Sequence, residues 1–481
     1  MGRSVVAALG VLAAALLAVA IAVAASTNND SLLPNEQHFL DSKSSNTSNG
    51  TKGGSAFNMV AVGQNDLGLR GFNGDVYVHN GLAYVGRWGF FDPSHPGLCP
   101  QDGGIAVLDV HDPSNPVQVA NLSGEGASVE DVVAFTAKYG PLAGHELVVD
   151  GTQYCAGRRT DPAAAGHRGF DIWDVSNPAS PAKVGTYDVG CCTRGVHEFE
   201  VGDRPDLGKT FVYASVPYAE RADPGSPNGV RDRAGKGEAR IVDITDPGNP
   251  VEVSTFGIKK DLGLDPAAGQ GCFAISFGHG MNASEDGKLL FVSYWDAGFI
   301  TLDISQPSAP RFLGRWTYAP NEDGDAHSTS YDNARKLLFG ADEDFCKGGP
   351  GVVPGWGYLR IFNASKPGGL KQIGEYHTPN SFGKADPGAG DYVIHNPLVV
   401  GTDVAMSWYT DGVRIVDASD PRHPVEVANF VPPAYKNPVH PDQRNVLTNT
   451  TQVWGIAYDE STGLYYASDM NSGLWILKRT A

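Results

Sequence analysis

From about residue 57 onward the apolar positions fall in short β-branched and aromatic runs, broken by Gly, Pro, Asn and Asp. That pattern predicts strands and turns. One six-residue run, Ile-Ala-Val-Leu-Asp-Val at 105–110, recurs at 170–175, 239–244, 299–304, 359–364 and 413–418, with a worn copy at 474–479. Most copies lead into a turn such as Asp112-Pro-Ser-Asn-Pro116, Asp246-Pro-Gly-Asn-Pro250 or Asp420-Pro-Arg-His-Pro424. Alternation within the runs is only partial, as for strands packed on both faces. The fifth residues are Asp109, Asp174, Asp243, Asp303, Asn363, Asp417 and Lys478, and they step by 54 residues (Asn363 to Asp417) to 69 (Asp174 to Asp243). These steps exceed the roughly 40–50 residues of common propeller repeats, so long loops are expected. Each unit carries four strand-like runs, in the first unit 75–79, 82–86, 105–110 and 117–122. Four strands repeated seven times predict an all-β, seven-bladed β-propeller, a fold that leaves only short edges. The last unit lacks a fourth run, and 57–62 precedes the first. That N-terminal run is expected to close the last blade.

The phrase resembles the LVIVD repeat, named for its own sequence. Val-Arg-Ile-Val-Asp at 413–417 and Ala-Arg-Ile-Val-Asp at 239–243 are the nearest copies, and the resemblance covers about residues 60–481. It implies a propeller and says little about chemistry. The aspartate that ends each copy is expected to cap the turn that follows, through its own carboxylate.

Composition narrows the picture. Glycine supplies 60 of 481 residues, against about 7 % on average. The formal charge of −18 disfavours nucleic acid or an anionic membrane surface as partner. Residues 1–25 read as a signal peptide or signal anchor: Arg3 precedes an apolar run from Val5 to Ala25. That run is also long enough to span a bilayer, so a membrane contact is expected only if it is retained. Residues 26–56 are Ser-, Asn- and Gly-rich and read as a disordered linker to a propeller over 57–481. The expected location is secreted or cell-surface. Six cysteines (Cys99, Cys155, Cys191, Cys192, Cys272 and Cys346) fit disulfides in an exported chain. All fall between second and third strands or between units, hence on one face of the disc. The long polar loops 155–168, 217–238 and 343–356 share that face, where a small molecule or a protein is the expected partner.

The repeat also aligns the first strands. The equivalent positions read Asp75, Asp131, His197, His279, His327, His395 and Trp454. Four consecutive blades thus place an imidazole at one height near the axis, where inner strands converge. Imidazole suits Zn, Cu, Fe and Ni, whereas an all-oxygen set would suit Mg or Ca. The reading is a divalent transition metal (Fe, Cu or Zn) bound by His197, His279, His327 and His395. Glu198 and Asp131 are the candidate catalytic bases beside it, with Asp75 as a further carboxylate. A four-histidine centre on propeller strands is similar to that of carotenoid cleavage oxygenases. Selenium-binding proteins and methanethiol oxidases also use a seven-bladed propeller with functional metal. These likenesses imply a metal-dependent oxidoreductase acting on a small molecule. The competing reading is a non-catalytic surface scaffold with a structural metal or a wet polar channel.

Overall fold

The computed structural model describes residues 54–89, 102–124, 126–154, 167–190, 192–222, 229–271, 274–320, 322–345, 356–381, 390–434 and 450–481. The leader, nearly all of the linker, five of the six cysteines and most of loops 155–168 and 343–356 lie outside them. Cys192 is described and buried. No helix of the described residues is long and apolar enough to cross a membrane.

The strands form seven antiparallel sheets. Blade one is Asn73–His79, Leu82–Arg87, Gly104–Asp109 and Val117–Ser123. Blade two is Ser128–Thr136, Glu146–Gln153, Gly169–Asp174 and Ala182–Asp188, and blade three is Phe199–Arg204, Lys209–Ser215, Ala239–Asp243 and Val251–Phe256. Blade four is Met281–Ala283, Leu289–Ser293, Phe299–Asp303 and Arg311–Trp316, and blade five is Ala326–Asp332, Leu337–Asp342, Leu359–Asn363 and Lys371–Tyr376. Blade six is Pro397–Val400, Asp403–Trp408, Gly412–Asp417 and Val425–Val431. Blade seven is Val453–Asp459, Leu464–Asp469 and Gly473–Arg479, completed by Met59–Asn65 from the N-terminal side. The expected closure is therefore present. A further strand, Ser55–Phe57, begins inside the segment read as linker and extends blade six.

Alternate residues of the repeated phrase pack against opposite neighbours. Ile105 and Val107 share a core with blade two, while Ala106 and Leu108 share one with blade seven. Equivalent cores fill each of the other junctions around the ring. This two-sided burial is why the phrase is apolar at nearly every position. The outermost strands are half exposed, as in Val117–Ser123.

Two β-bulges recur. In each outer strand one aliphatic residue (Val62, Val119, Val184, Val253, Leu313, Ile373 or Val427) is left out of the pairing. The residue after it is always small: Gly63, Ala120, Gly185, Ser254, Gly314, Gly374 or Ala428. The reason is the next blade's turn: a Cβ on Gly185 would lie 1.7 Å from the Pro247 carbonyl oxygen. The second bulge lies in the first strands. The His197 N–H donates to the Ser215 carbonyl (3.0 Å), and the Ser215 N–H donates to the Glu198 carbonyl (2.9 Å). Two residues thus oppose one. The pairs His279/Gly280 against Ser293 and His395/Asn396 against Ser407 repeat this. His327 and Trp454 are likewise left out of their ladders, as are Asp75 and Asp131. Such a bulge re-aims a side chain; here it turns His197, His279, His327, His395 and Trp454 toward the axis, whereas in blade two the first residue of the bulge is Glu130 and Asp131 is the second.

Candidate metal centre at the propeller axis

The bulges bring the four imidazoles into one arc. Ring centroids are 4.4 Å apart for His197 and His279, 4.0 Å for His279 and His327, and 4.2 Å for His327 and His395. Trp454 continues the arc 4.0 Å beyond His395, and Trp295 lies 5.4 Å from His279, its ring tilted by 32°. All four imidazoles are fully buried. Other described histidines stand at or near the surface beside single carboxylates, as His111 does with Asp109 and His423 with Asp420.

Backbone carbonyls fix two of the rings. His327 Nδ1 donates to the His395 carbonyl at 3.1 Å, and His395 Nδ1 donates to the Trp454 carbonyl at 2.8 Å. The proton on Nδ1 leaves Nε2 as a lone-pair donor, the tautomer a metal requires. Both Nε2 atoms are buried without a hydrogen-bond partner, as are His279 Nδ1, Glu198 Oε1 and Glu343 Oε2. His197 Nδ1 faces Glu130 and lies 2.9 Å from Gln153 Nε2. Its Nε2 is 2.9 Å from His279 Nε2, a spacing that needs either one proton or a shared cation between the two nitrogens.

Two carboxylates complete the cluster. Glu198 lies 3.6 Å from His279 and 3.5 Å from His327. Glu343 lies 3.6 Å from His327 and 3.9 Å from His395, and the Tyr409 hydroxyl donates to it. Two ligands about 2.1 Å from one ion are about 3.0 Å apart at a right angle and about 4.2 Å apart when opposite. The donor separations fall in or next to that interval. Two sets place their donor atoms within 4.8 Å of one another: Glu198, His327 and His395, and His279, His327 and Glu343. The donors present therefore fit a transition ion.

Burial, reinforced by neighbouring charge, holds the four imidazoles well below their usual pKa, hence neutral. It pushes Glu198 and Glu343 well up and Glu130 to about 8. Asp131 rises to about 7, first through burial. Its oxygens accept the N–H groups of Phe199 (2.8 Å) and Val132 (2.7 Å). Asp131 thus anchors the start of blade three instead of contacting a ring. Asp75 is bound by Asn396 Nδ2 at 3.2 Å.

Sequence alignment reached the rings and Glu198 but missed Glu130 and Glu343. Glu130 and Asp131 are the bulge pair of blade two, as His197 and Glu198 are of blade three, so Glu130 holds the histidine position and aligning Asp131 with His197 is one residue out. Glu343 follows the second strand of blade five, opening a loop singled out only for its length and polarity. Trp408 and Trp316 pack against Tyr376 and Phe362 within the blades.

With the geometry in place, comparison with known proteins gives one family signal. The LVIVD repeat family model matches residues 164–189 and 278–317, in blades two and four. The chain carries LVIVD repeats. No curated protein matches it. Among solved structures it is similar to the Swd1 β-propeller domain of Myceliophteria thermophila, at 11 % identity and TM-score 0.48, covering 88 % of this chain and 99 % of that one. It is also similar to a putative 6-phosphogluconolactonase from Bacteroides uniformis, at 11 % identity and TM-score 0.48, covering 81 % and 89 %. A protein from Lactobacillus plantarum gives 12 % identity and TM-score 0.48, covering 75 % and 88 %.

Proposed function

We propose that the propeller axis holds one divalent transition metal, and that the chain is an exported metal-dependent oxidoreductase acting on a small molecule. The ligands are drawn from His197, His279, His327 and His395 with Glu198 and Glu343. One observation carries this reading: His327 Nε2, His395 Nε2, Glu198 Oε1 and Glu343 Oε2 are buried without a hydrogen-bond partner, and the groups that bear them cluster at the hub. Leaving such groups unpaired costs about 1–3 kcal/mol each, more for charged ones, and an ion would relieve them together.

Two histidines with one carboxylate is the donor set of non-haem iron oxygenases. A bound ion would supply Lewis acidity and, as iron or copper, an electron-transfer partner for dioxygen. The chain's own residues have separable tasks. The carbonyls of His395 and Trp454 hold the tautomers of His327 and His395. Glu130 and Gln153 orient His197. Tyr409 fixes Glu343. Glu198 would hold or release a proton beside the ion, and Asp131 would steady it by binding the N–H of the next residue, Phe199. Export rests on the leader over 1–25 and the even cysteine count.

The test is metal analysis of the purified full chain and its His327→Ala variant, after reconstitution with iron, copper or zinc. The expected result is one ion per chain and at least tenfold lower occupancy in the variant, whose melting checks that it folds. An absorption spectrum and dioxygen uptake then read redox activity. No bound metal under any reconstitution overturns the centre. A stoichiometric ion without absorbance or dioxygen uptake overturns the oxidoreductase and supports the scaffold.

A further inference from the structure

We propose that Asp296, Asp323 and Asp325 form a calcium site on the loop face, sharing no residue with the histidine centre, to which the Asp325 carbonyl is joined by the Glu343 N–H at 2.8 Å. Asp296 lies in the turn between the second and third strands of blade four, whereas Asp323 and Asp325 lead into blade five. A two-way backbone bridge holds these segments together: Trp295 N–H to the Ala326 carbonyl (3.1 Å) and Ala326 N–H to the Trp295 carbonyl (3.3 Å). Each aspartate offers one oxygen, and the three oxygens lie within 4.8 Å of one another. Calcium binds oxygen at about 2.3–2.6 Å, so opposite ligands are up to about 5 Å apart. One ion reaches all three.

Asp325 supplies the independent observation. It is fully buried, and neither carboxylate oxygen has a hydrogen-bond partner. The other two are already oriented. Asp296 accepts the N–H groups of Gln270 (3.2 Å) and Ile275 (2.7 Å), and Asp323 accepts that of Gly324 (3.1 Å). The backbone presses in at Gly271, where φ is +80° and a Cβ would overlap the Asp323 carboxylate. Asp296 is half-buried and lines a cleft of about 350 Å³ that also includes Gln270, Arg315 and Tyr318. That cleft gives an ion an entry path. An all-oxygen set selects calcium or magnesium over the borderline metals of the axis. Carboxylates rigidly tied to protein backbone suit calcium, because magnesium retains several of its waters.

The experiment strips the full-length protein with EGTA and titrates it with calcium and magnesium chlorides, following heat and melting temperature. Expected are one calcium per chain, a rise in melting temperature, and binding at least tenfold weaker for magnesium. Asp325→Asn and Asp296→Asn should each weaken calcium at least tenfold. His327→Ala should leave the calcium response intact, which keeps this result distinct from the fate of the axial ion. If Asp325→Asn fails to fold, Asp296→Asn at the cleft decides alone. No binding at about 10 mM calcium, beyond the weakest extracellular sites, overturns the proposal. So does tighter binding of magnesium, or wild-type calcium affinity in Asp296→Asn.

Discussion

At the residue scale, the aspartate that ends the repeated phrase is a turn cap. Asp109, Asp174, Asp243, Asp303 and Asp417 each accept the N–H two residues on, at 2.8–3.0 Å. Asn363 does the same for Ser365 at 2.9 Å. An uncharged amide therefore suffices for the turn, which is the Asx geometry expected from the sequence. The charge adds something separate. Asp303 is held down at about 2, first by its bond to the Arg311 side chain and then by the Ser305 N–H. A depressed carboxylate contributes stability above its unfolded pKa, near 4, and loses it as the pH falls toward its folded value. Asp303→Asn should thus cost less than about 1 kcal/mol at pH 7, the worth of an exposed ion pair, and should shed its share of the loss between pH 4 and 2. Asp303→Ala should cost about 1 kcal/mol more, because the turn bond goes too. Urea unfolding at pH 7 and pH 3 measures both; equal stabilities for the Asn and Ala variants would remove the turn role.

At the element scale, the bulges decide what the sequence reveals. The small residue after each outer-strand bulge lets the next blade's turn approach, so Gly185→Val must push Pro247 away. The expected cost is about 1–3 kcal/mol, typical of overpacking, read as a lower urea midpoint with unchanged slope. The same substitution at exposed Gly369, whose φ is not positive and whose Cβ would meet nothing nearer than 4.0 Å, controls for general loss of glycine. A larger loss there than at Gly185 would refute the contact as the cause. Strand identity was legible because Ile105 to Leu108 must be apolar on both faces. The histidines were legible because the repeat sets their height and the bulge turns them inward in four consecutive blades. Glu130 was not, since the sequence alignment set Asp131 against His197, one residue past the bulge position that Glu130 holds. Glu343 was not, since its counterparts two residues past the bulge partner in other blades are Gln153, Trp295 and Tyr409, so no carboxylate repeats there. The calcium carboxylates were also hidden: Asp296 and Asp325 are 29 positions apart and meet only through the Trp295–Ala326 bridge.

At the scale of the whole molecule, the ring is closed by a strand that comes from the opposite end of the chain from its blade. Met59–Asn65 pairs with Gly473–Arg479, from Met59 against Arg479 to Asn65 against Leu474. Met59 is buried in the core between blades six and seven, and Asn65 Nδ2 donates to the Pro116 carbonyl of blade one at 2.9 Å. The strand therefore ties three blades. Removing residues 1–61 takes away half of its ladder, the Met59 side chain and the extra strand on blade six. At about 1 kcal/mol net per hydrogen bond and about 2–5 kcal/mol for a buried Met, the loss is on the order of 5–10 kcal/mol. That is comparable to the whole stability of many domains, so the truncated chain should melt far lower or aggregate through its open edge. Removing residues 1–53 should leave melting unchanged. A synthetic peptide of residues 54–65 should restore part of the lost melting temperature, because pairing, not connectivity, supplies the stability. Unchanged melting after truncation to Gln64 would mean that the last blade holds as three strands. Closure would then play no part in keeping the four imidazoles together at the hub.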